Sequence, residues 1–399
     1  MLDLGSQPAA SSFLSSTELA TPEPSWPLRA WVCRSCWLVQ LDDDGPEEGA
    51  DRHPALPAWS GTMARHARGF ARATVARLEA AGLPGPGDLR IVETASHGNY
   101  LQGFFRERGV STLIAEGAPD WADAAEAEGL AVERLGLLPA NVPALERRLG
   151  GGAAAVVDYY LLAHLRDPMA FLSGVRAALG SRGLAALEFD HVLPVLAERQ
   201  FDAVRHGHFT YLSFVALRDA LGRAGLEAFD VEELPVYGGA IRAWLQVAAG
   251  PRPVTGAVAD LLAKERAAGL ESPETYRTYH QAVERTRGAL LDFLEEAHRR
   301  GRLVAGYGAP SRGNTLLNSC GIDRRLLPFT VDRSTAKQGR FLPGSHIPIH
   351  APNRLFEERP DYVLILTWDL AGEVQAQLPE VRTWGGRFVV PIPGITVLP

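Results

Sequence analysis

Histidines are concentrated in the segment from residue 200 to residue 213, which reads Arg-His-Gly-His at residues 205–208. The pKa of imidazole lies near neutrality, so a histidine suits the role of a general base. His164 and His191 each follow an apolar run typical of a buried strand. A single histidine is more often structural, but strand ends meet at one edge of a parallel sheet. We therefore predict that these imidazoles converge on one site.

A loop of small residues follows the strand-like run at residues 90–94. The next strand-like run ends at Glu116, about 20 residues further on, where a carboxylate can bind both hydroxyls of a ribose. The loop lacks a complete G-x-G-x-x-G pattern, so it favours a phosphate-free ribosyl ligand, S-adenosylmethionine, over a dinucleotide. An ordinary strand-to-helix turn explains the loop equally well. The predicted cofactor-binding residues are Glu93, Ala95, Ser96, Gly98, Asn99 and Glu116.

A second glycine-rich segment, residues 306–315, lies between a strand-like run and a helical pattern. Such a position can bind an anion, and Arg312 adds a charge that can hold a phosphate. Residues 331–340 add further cations, including Lys337. A solvated loop explains each cation on its own, but together they favour a ligand that contains a pyrophosphate.

Short apolar runs alternate with helical patterns from residue 76 onward, and the alternation resumes after residue 301. This rhythm predicts an α/β fold whose parallel sheets carry helices on both faces. We expect an N-terminal module at residues 1–75, a central domain at 76–250, a helical linker at 251–300 and a second Rossmann-like domain at 301–399.

Composition excludes several classes of protein. The 399 residues carry 40 Lys and Arg against 47 Asp and Glu, a net charge of −7 without basic blocks, so nucleic acid is not an expected partner. Three cysteines fit a reducing compartment better than a disulfide framework. No run is apolar for long enough to span a bilayer, and the N-terminus lacks a signal-peptide pattern. We expect a cytoplasmic protein with no membrane partner.

The chain resembles the sugar C-methyltransferases of antibiotic deoxysugar pathways, which act on thymidine-diphosphate-linked (TDP-linked) 4-keto-6-deoxy sugars. The likeness extends over nearly the whole chain and is strongest at residues 200–213, 304–318 and 331–348. It implies a small zinc module, a central class I methyltransferase domain and a C-terminal Rossmann-like domain. It also implies S-adenosylmethionine as methyl donor and an enolate formed beside the sugar ketone.

The resemblance implies roles for individual residues. His208 and His164 match active-site positions for proton abstraction or enolate stabilisation, and Arg205 stands where the family has a tyrosine that contacts the reacting sugar. The implied substrate-binding residues are Trp59, His191, Arg312, Asn314 and Lys337.

Several positions depart from the family pattern. The family usually reads Tyr-His-Glu-His where this chain has residues 205–208, and it has a tyrosine at the position of Trp59. These changes leave open epimerisation, NADPH-dependent reduction of the ketone, or a non-catalytic partner protein. Structural zinc needs four ligands, but only the pair Cys33 and Cys36 is present, so we expect a remnant site without zinc.

Overall fold

A computed structural model describes residues 1–42, 45, 60–82, 90–94 and 101–399. The described residues form three sheets. The predicted residues Trp59, Ala95, Ser96, Gly98 and Asn99 lie outside this part of the chain.

The N-terminal sheet is antiparallel. Its strands are β1 (Leu2–Gln7), β2 (Trp26–Val32) and β3 (Val39–Leu41). Leu2, Leu4, Leu28 and Ala30 are buried in a core that also contains residues of the C-terminal domain, such as Leu316. The N-terminal strands therefore pack as part of a larger core.

The central domain is built on a mixed sheet. Its described strands are β4 (Ile91–Thr94), β5 (Thr112–Ala115), β6 (Val132–Glu133), β7 (Ala153–Tyr159), β8 (Leu179–Asp190), β9 (Thr210–Tyr211), β10 (Leu226–Leu234) and β11 (Ala240–Val247). All but β9 belong to this sheet, in the order β10-β11-β8-β7-β4-β5-β6. Strands β4 to β8 run parallel, and β11 lies antiparallel between β10 and β8. The order reverses beside β4, which places a ligand-binding crevice at the ends of β4 and β7.

Helices accompany these strands. They are α1 (Gly61–Ala80), α2 (Gln102–Arg106), α3 (Pro119–Ala127), α4 (Val142–Leu149), α5 (Pro168–Ala178), α6 (Val192–Ala197) and α7 (Phe214–Ala224). Local sequence sets their ends: the Ser60 hydroxyl accepts the N–H of Met63 at 3.0 Å, and Gly150 ends α4 with a positive φ. The boundary predicted at residue 75 falls inside α1. Because the buried face of α1 packs with Ile91 and Trp244, the helix belongs to the central domain.

Strand β9 lies outside the central sheet and pairs with β3 of the N-terminal sheet, with Val39 opposite Tyr211. One residue further, Leu212 forms a bridge to His191 directly after β8. The histidine segment is thus fixed between the N-terminal sheet and the end of β8.

Two long helices, α8 (Gly256–Ala267) and α9 (Pro273–Arg299), fill the predicted linker. Leu261 and Leu262 of α8 pack into the central core, whereas Leu290 and Leu294 of α9 pack with Val304 of the C-terminal domain. The linker therefore contributes to the cores on both sides of it.

The C-terminal domain is a second α/β unit. Its strands are β12 (Val304–Tyr307), β13 (Thr330–Val331), β14 (Ile349–His350), β15 (Tyr362–Ile365), β16 (Arg387–Val390) and β17 (Thr396–Val397), and its helices are α10 (Ser311–Ser319), α11 (Arg354–Glu358) and α12 (Ala371–Gln377). The sheet order is β14-β13-β12-β15-β16-β17, parallel except at β17. The predicted fold class, two Rossmann-like α/β units with a small N-terminal module, is confirmed. No described helix combines the length and apolar character needed to cross a bilayer.

Candidate active site

Polar side chains meet where β4 and β7 end, at the centre of the central sheet. Thr94 lies opposite Asp158 in the parallel register, and its hydroxyl donates to Asp158 Oδ1 at 2.6 Å. Asp158 Oδ2 also accepts the N–H of Leu162, which begins the turn leading to His164. The two strand ends are therefore tied to each other and to the histidine that follows β7.

The predicted cofactor carboxylates lie at the ends of two adjacent strands. Glu93 is fully buried; its Oε1 accepts the N–H of Leu101, across the loop, and its Oε2 has no hydrogen-bond partner among the described residues. Glu116 directly follows β5, and its Oε1 accepts the N–H of Ala118 at 2.8 Å. A carboxylate at the position of Glu116 can bind a ribose, and the buried Glu93 Oε2 can accept a hydrogen bond from a ligand. These two observations fit S-adenosylmethionine.

Burial is the main influence on the pKa values of the two innermost carboxyl groups, Glu93 and Asp158. Burial raises the pKa of Glu93 to about 8, although the backbone N–H groups of Leu101 and Gln102 favour its charged form. Burial also raises the pKa of Asp158 to about 7, against the hydrogen bonds from Thr94 and the backbone. Shifts of this size are common at functional sites.

The structure brings two of the three predicted histidines together. The rings of His164 and His208 lie 5.0 Å apart between centroids in an edge-to-face arrangement. His164 Nδ1 is 2.6 Å from the carbonyl oxygen of Gly207, so this nitrogen donates and the turn after β7 is joined to the histidine segment. His208 is 1% exposed, and its ring also lies 4.8 Å from that of Tyr211.

Arg205 and His206 differ in their surroundings. The Arg205 guanidinium donates to the carbonyl of Ala203, and the residue acts on Asp190 and Tyr211 by charge. His206 Nε2 instead faces the carbonyl of Pro27 at 3.2 Å, beside Trp26 of the N-terminal sheet. His206 therefore contacts a structural element, whereas Arg205 lies near the histidine pair.

His191 is held away from this pair. Its Nε2 lies 2.7 Å from Glu265 Oε1, and the Glu265 carboxylate also accepts the N–H groups of Phe214 and Val215 at the start of α7. These contacts give His191 a packing role between β8 and α8. Its assignment to the substrate stays a prediction that the contacts do not support.

Two further residues at the same sheet edge were not found from the sequence. Asp190 ends β8, and its Oδ2 lies 3.5 Å from His208 Nε2. Tyr160 follows β7 with φ of 70°, a strained value for a tyrosine, and its ring lies 4.7 Å from that of Tyr237. Sequence shows only a polar residue directly after each buried strand, which is a weak signal.

The second glycine segment is closely packed against its own domain. A Cβ at Gly306 would lie 2.6 Å from the Thr330 hydroxyl, and Gly308 has φ of 92°. The N–H of Gly308 donates to Val331, and that of Ala309 donates to the Asp332 carboxylate at 2.7 Å. Close packing accounts for these glycines, so the pyrophosphate site stays a prediction.

Arg312 lies at the start of α10 but points to the central domain. Its guanidinium bonds the Asp202 carboxylate, the carbonyl of Tyr237 at 2.6 Å and the side chain of Gln200. Trp368 lies against it at 4.9 Å. Arg312 is thus an observed domain contact, and its role toward a phosphate stays a prediction.

The other predicted substrate residues of the C-terminal domain face the N-terminal module. The Asn314 amide donates to the carbonyl of Ala10 at 3.3 Å, while its buried Oδ1 has no partner in the described part of the chain. Lys337 Nζ donates to the carbonyl of Ala309 at 2.8 Å and lies 5.1 Å from the Phe13 ring. Their contact with a substrate stays a prediction.

The two N-terminal cysteines are unpaired thiols in a tight turn. The Cys33 carbonyl accepts the N–H of Trp37, and Cys33 Sγ accepts the N–H of Ser35 at 3.5 Å. Within the described ranges, no group of three or more potential metal-ligating side chains forms. The absence of zinc from this cysteine pair stays a prediction.

Comparison with known proteins places this geometry in a family. A family described as "C-methyltransferase C-terminal domain" matches residues 235–393, and one described as "Putative zinc binding domain" matches residues 1–49. The C-methyltransferase NovU of Streptomyces niveus is 33% identical over 394 residues, which cover 98% of this chain and 92% of NovU. This chain belongs to the C-methyltransferase family. Its predicted assignment as a methyltransferase is confirmed.

Solved methyltransferases resemble part of this C-methyltransferase. An S-adenosylmethionine-dependent methyltransferase from Mesorhizobium loti is 17% identical with a TM-score of 0.33, covering 43% of this chain and 95% of the other. Magnesium protoporphyrin IX methyltransferase from Synechocystis, with bound SAH, is 16% identical with a TM-score of 0.35, covering 48% and 89%.

Proposed function

We propose that this C-methyltransferase transfers a methyl group from S-adenosylmethionine to a carbon beside the ketone of a TDP-linked keto-deoxysugar, through an enolate. The observation that carries the proposal is the pair His164 and His208, in edge-to-face contact at the sheet edge where Glu93 lies near the end of β4 and Glu116 follows β5. The substrate class comes from the resemblance to sugar C-methyltransferases, and NovU is itself a C-methyltransferase.

Glu116 would hold the cofactor ribose, and Glu93 with the loop that follows it would hold the remainder of the cofactor. When bound, S-adenosylmethionine supplies an electrophilic methyl group. Glu93 and His208 are buried, so electrostatic contacts made beside them are stronger than contacts made in water. These residues set the position of the methyl group relative to the histidine pair.

His208 is the proposed base. It removes a proton from the carbon beside the ketone, and the electron pair of the broken C–H bond forms the enolate. Negative charge then develops on the ketone oxygen, so a nearby cation or N–H donor lowers the barrier. Arg205 carries such a cation. His164 donates its Nδ1–H to the carbonyl of Gly207, so its Nε2 offers an N–H to the substrate when the ring is protonated. The nucleophilic carbon is thereby formed close to the cofactor.

The test uses the purified chain, a TDP-4-keto-6-deoxy sugar and S-adenosylmethionine labelled with ¹³C in its methyl group. We expect a product with a new carbon–methyl resonance. His208→Ala should reduce kcat by about 10²- to 10⁴-fold, as general-base catalysis contributes. His298→Ala is the matched control, since His298 is exposed near the end of α9 and its removal should leave kcat within about threefold.

Deuterated water separates the alternatives. Deuterium uptake at the sugar carbon without methyl transfer in the presence of the methyl donor would favour epimerisation. Turnover that requires a nicotinamide would favour ketone reduction. Absence of turnover under every condition, with stable capture of another enzyme, would favour a non-catalytic partner protein.

A further inference from the structure

Asp190 is a buried carboxyl group beside the proposed base. Its Oδ2 lies 3.5 Å from His208 Nε2, and the two side chains are 8% and 1% exposed. The distance is that of an ion pair and is longer than a good hydrogen bond. Catalytic contacts are often this long before the substrate is bound.

The fold holds this pair in place from both sides. Asp190 is the last residue of β8 and lies opposite Ala240 of β11. Two residues later, the N–H of Val192 donates to the carbonyl of Leu212 at 3.0 Å. Because Leu212 lies close to His208 in the chain, this bond fixes the register between the strand end and the histidine segment.

Within the described ranges, His208 is the residue that lies within ion-pair distance of the Asp190 carboxylate. Its Oδ1 is buried and has no hydrogen-bond partner among the described residues. Isolated buried charges are costly, and buried polar atoms almost always have partners. The adjacent His191 has Glu265 as its partner, so it does not satisfy Asp190. Asp190 therefore has His208 as its nearest opposite charge once that ring is protonated.

The surrounding charges act on Asp190 in both directions. Burial raises its pKa above the ordinary value, Arg312 and Arg205 oppose that rise, and Asp369 and Asp202 add to it. Arg312 is already bonded to Asp202. The arginines therefore neutralise the Asp190 carboxylate only in part, and its remaining negative charge favours the protonated form of His208. The groups facing the pair are His164 and Tyr211 around His208, and Arg205, Arg312, Asp202, Asp369, Tyr160 and Tyr237 around Asp190.

We propose that Asp190 is a positioning residue for His208, whose imidazolium it stabilises after the proton has left the substrate carbon. The proposal rests on the proposed function for the identity of the reaction. Asp190 touches neither substrate nor cofactor in this role. It makes His208 a stronger base and keeps its ring facing the same direction throughout the proton transfer.

The first test is a histidine titration that needs no turnover. The chain is labelled with ¹³C in its histidine rings, and His208 is assigned by its loss in His208→Gln. We expect its titration midpoint to be at or above about 6.5, because the nearby carboxylate compensates for burial. A midpoint well below that value would overturn the proposal. The titration itself is measured on the wild-type chain, and the variant serves only to assign the His208 signal.

Asp190→Asn then removes the charge and keeps the size of the side chain. We expect the midpoint of His208 to fall by about one pH unit or more and the acid limb of kcat to move to lower pH by the same amount. The value of kcat should fall about tenfold or more, while KM for the sugar stays within about twofold. Asp219→Asn, at an exposed position on α7, is the matched control and should change neither quantity.

The two proposals fail separately. If no keto sugar is methylated but the midpoint shift appears, the proposed function fails and the Asp190–His208 pair stands. If methylation occurs and Asp190→Asn leaves the titration and the pH profile unchanged, the pair is wrong and the methyltransferase function stands. Asp190→Glu keeps a carboxylate at this position, so its kcat should lie between those of Asp190→Asn and the wild type.

Discussion

Arg312 and Asp202 form a two-pronged ion pair between the C-terminal and central domains, with Nε–Oδ2 and Nη2–Oδ1 distances of 3.1 and 3.2 Å. Asp202 is fully buried, and Trp368 donates to its Oδ2 at 2.8 Å. One carboxylate thus receives donors from two separate elements of the C-terminal domain. This contact joins the C-terminal domain to the central domain.

Removing Arg312 should destabilise the protein. Arg312→Ala leaves Asp202 buried without its main counter-charge, so we expect the free energy of unfolding to fall by about 3–5 kcal/mol. Urea unfolding monitored by tryptophan fluorescence measures the change. Arg325→Ala is the matched control, because its ion pair with Glu295 at 3.8 Å is exposed and should contribute less than about 1 kcal/mol. Equal effects of the two substitutions would contradict the prediction.

Glu116 should control cofactor affinity. Glu116→Ala removes the carboxylate proposed to bind the ribose, and loss of a charged hydrogen bond should weaken S-adenosylmethionine binding about tenfold or more. Isothermal titration calorimetry on the intact chain measures Kd. Glu128→Ala, an exposed change just after α3, serves as control. An unchanged Kd for Glu116→Ala would exclude this carboxylate as a cofactor ligand.

Glu93 should make stability depend on pH. Its folded pKa of about 8 exceeds its ordinary value of 4.5, so the folded state holds a proton that the unfolded state releases in this interval. Its contribution to stability is therefore complete below pH 4.5 and is lost as the pH rises to about 8. The loss is on the order of a few kcal/mol.

Glu93→Gln isolates this effect, since the amide resembles the protonated acid and still accepts the N–H of Leu101. We expect the variant to lose less stability than the wild type between pH 4.5 and pH 8, as measured by urea unfolding at fixed ionic strength. Parallel pH profiles for the two proteins would show that Glu93 is not the group responsible.

The N-terminal cysteines should not retain zinc. Two thiolates supply half of a tetrahedral set, so we expect the purified chain to contain far less than one zinc per molecule by elemental analysis. Substitution of both Cys33 and Cys36 by serine should leave that content and the thermal midpoint unchanged. A stoichiometric zinc content that the double substitution abolishes would mean that other side chains complete the site.

Much of the fold was predictable because buried parallel strands have a distinctive composition. The run at residues 153–158 is apolar until its last residue, and it forms β7 at the centre of the sheet. Helix α9 lies within the linker at residues 251–300 that was predicted to be helical. The boundary predicted at residue 75 from the change of sequence rhythm falls inside α1, and the packing of α1 on the central sheet depends on contacts distant in sequence.

The site was harder to predict because its partners are distant in sequence. Pairing of His164 with His208 followed from the rule that strand ends share an edge. Asp190 has no characteristic spacing from His208, and their contact depends on the bridge between His191 and Leu212. Arg312 has the local setting of an anion site, but Asp202, 110 residues away, determines where it points.

The pairing of Val39 with Tyr211 gives the N-terminal module a second role, which is to support the histidine segment. Backbone hydrogen bonds between strands need no metal, so this pairing holds the histidine segment against the N-terminal sheet whether or not zinc is bound. Natural variation in residues 1–42 should therefore preserve the alternation of buried and exposed positions in β1 to β3 more strictly than the cysteine pair.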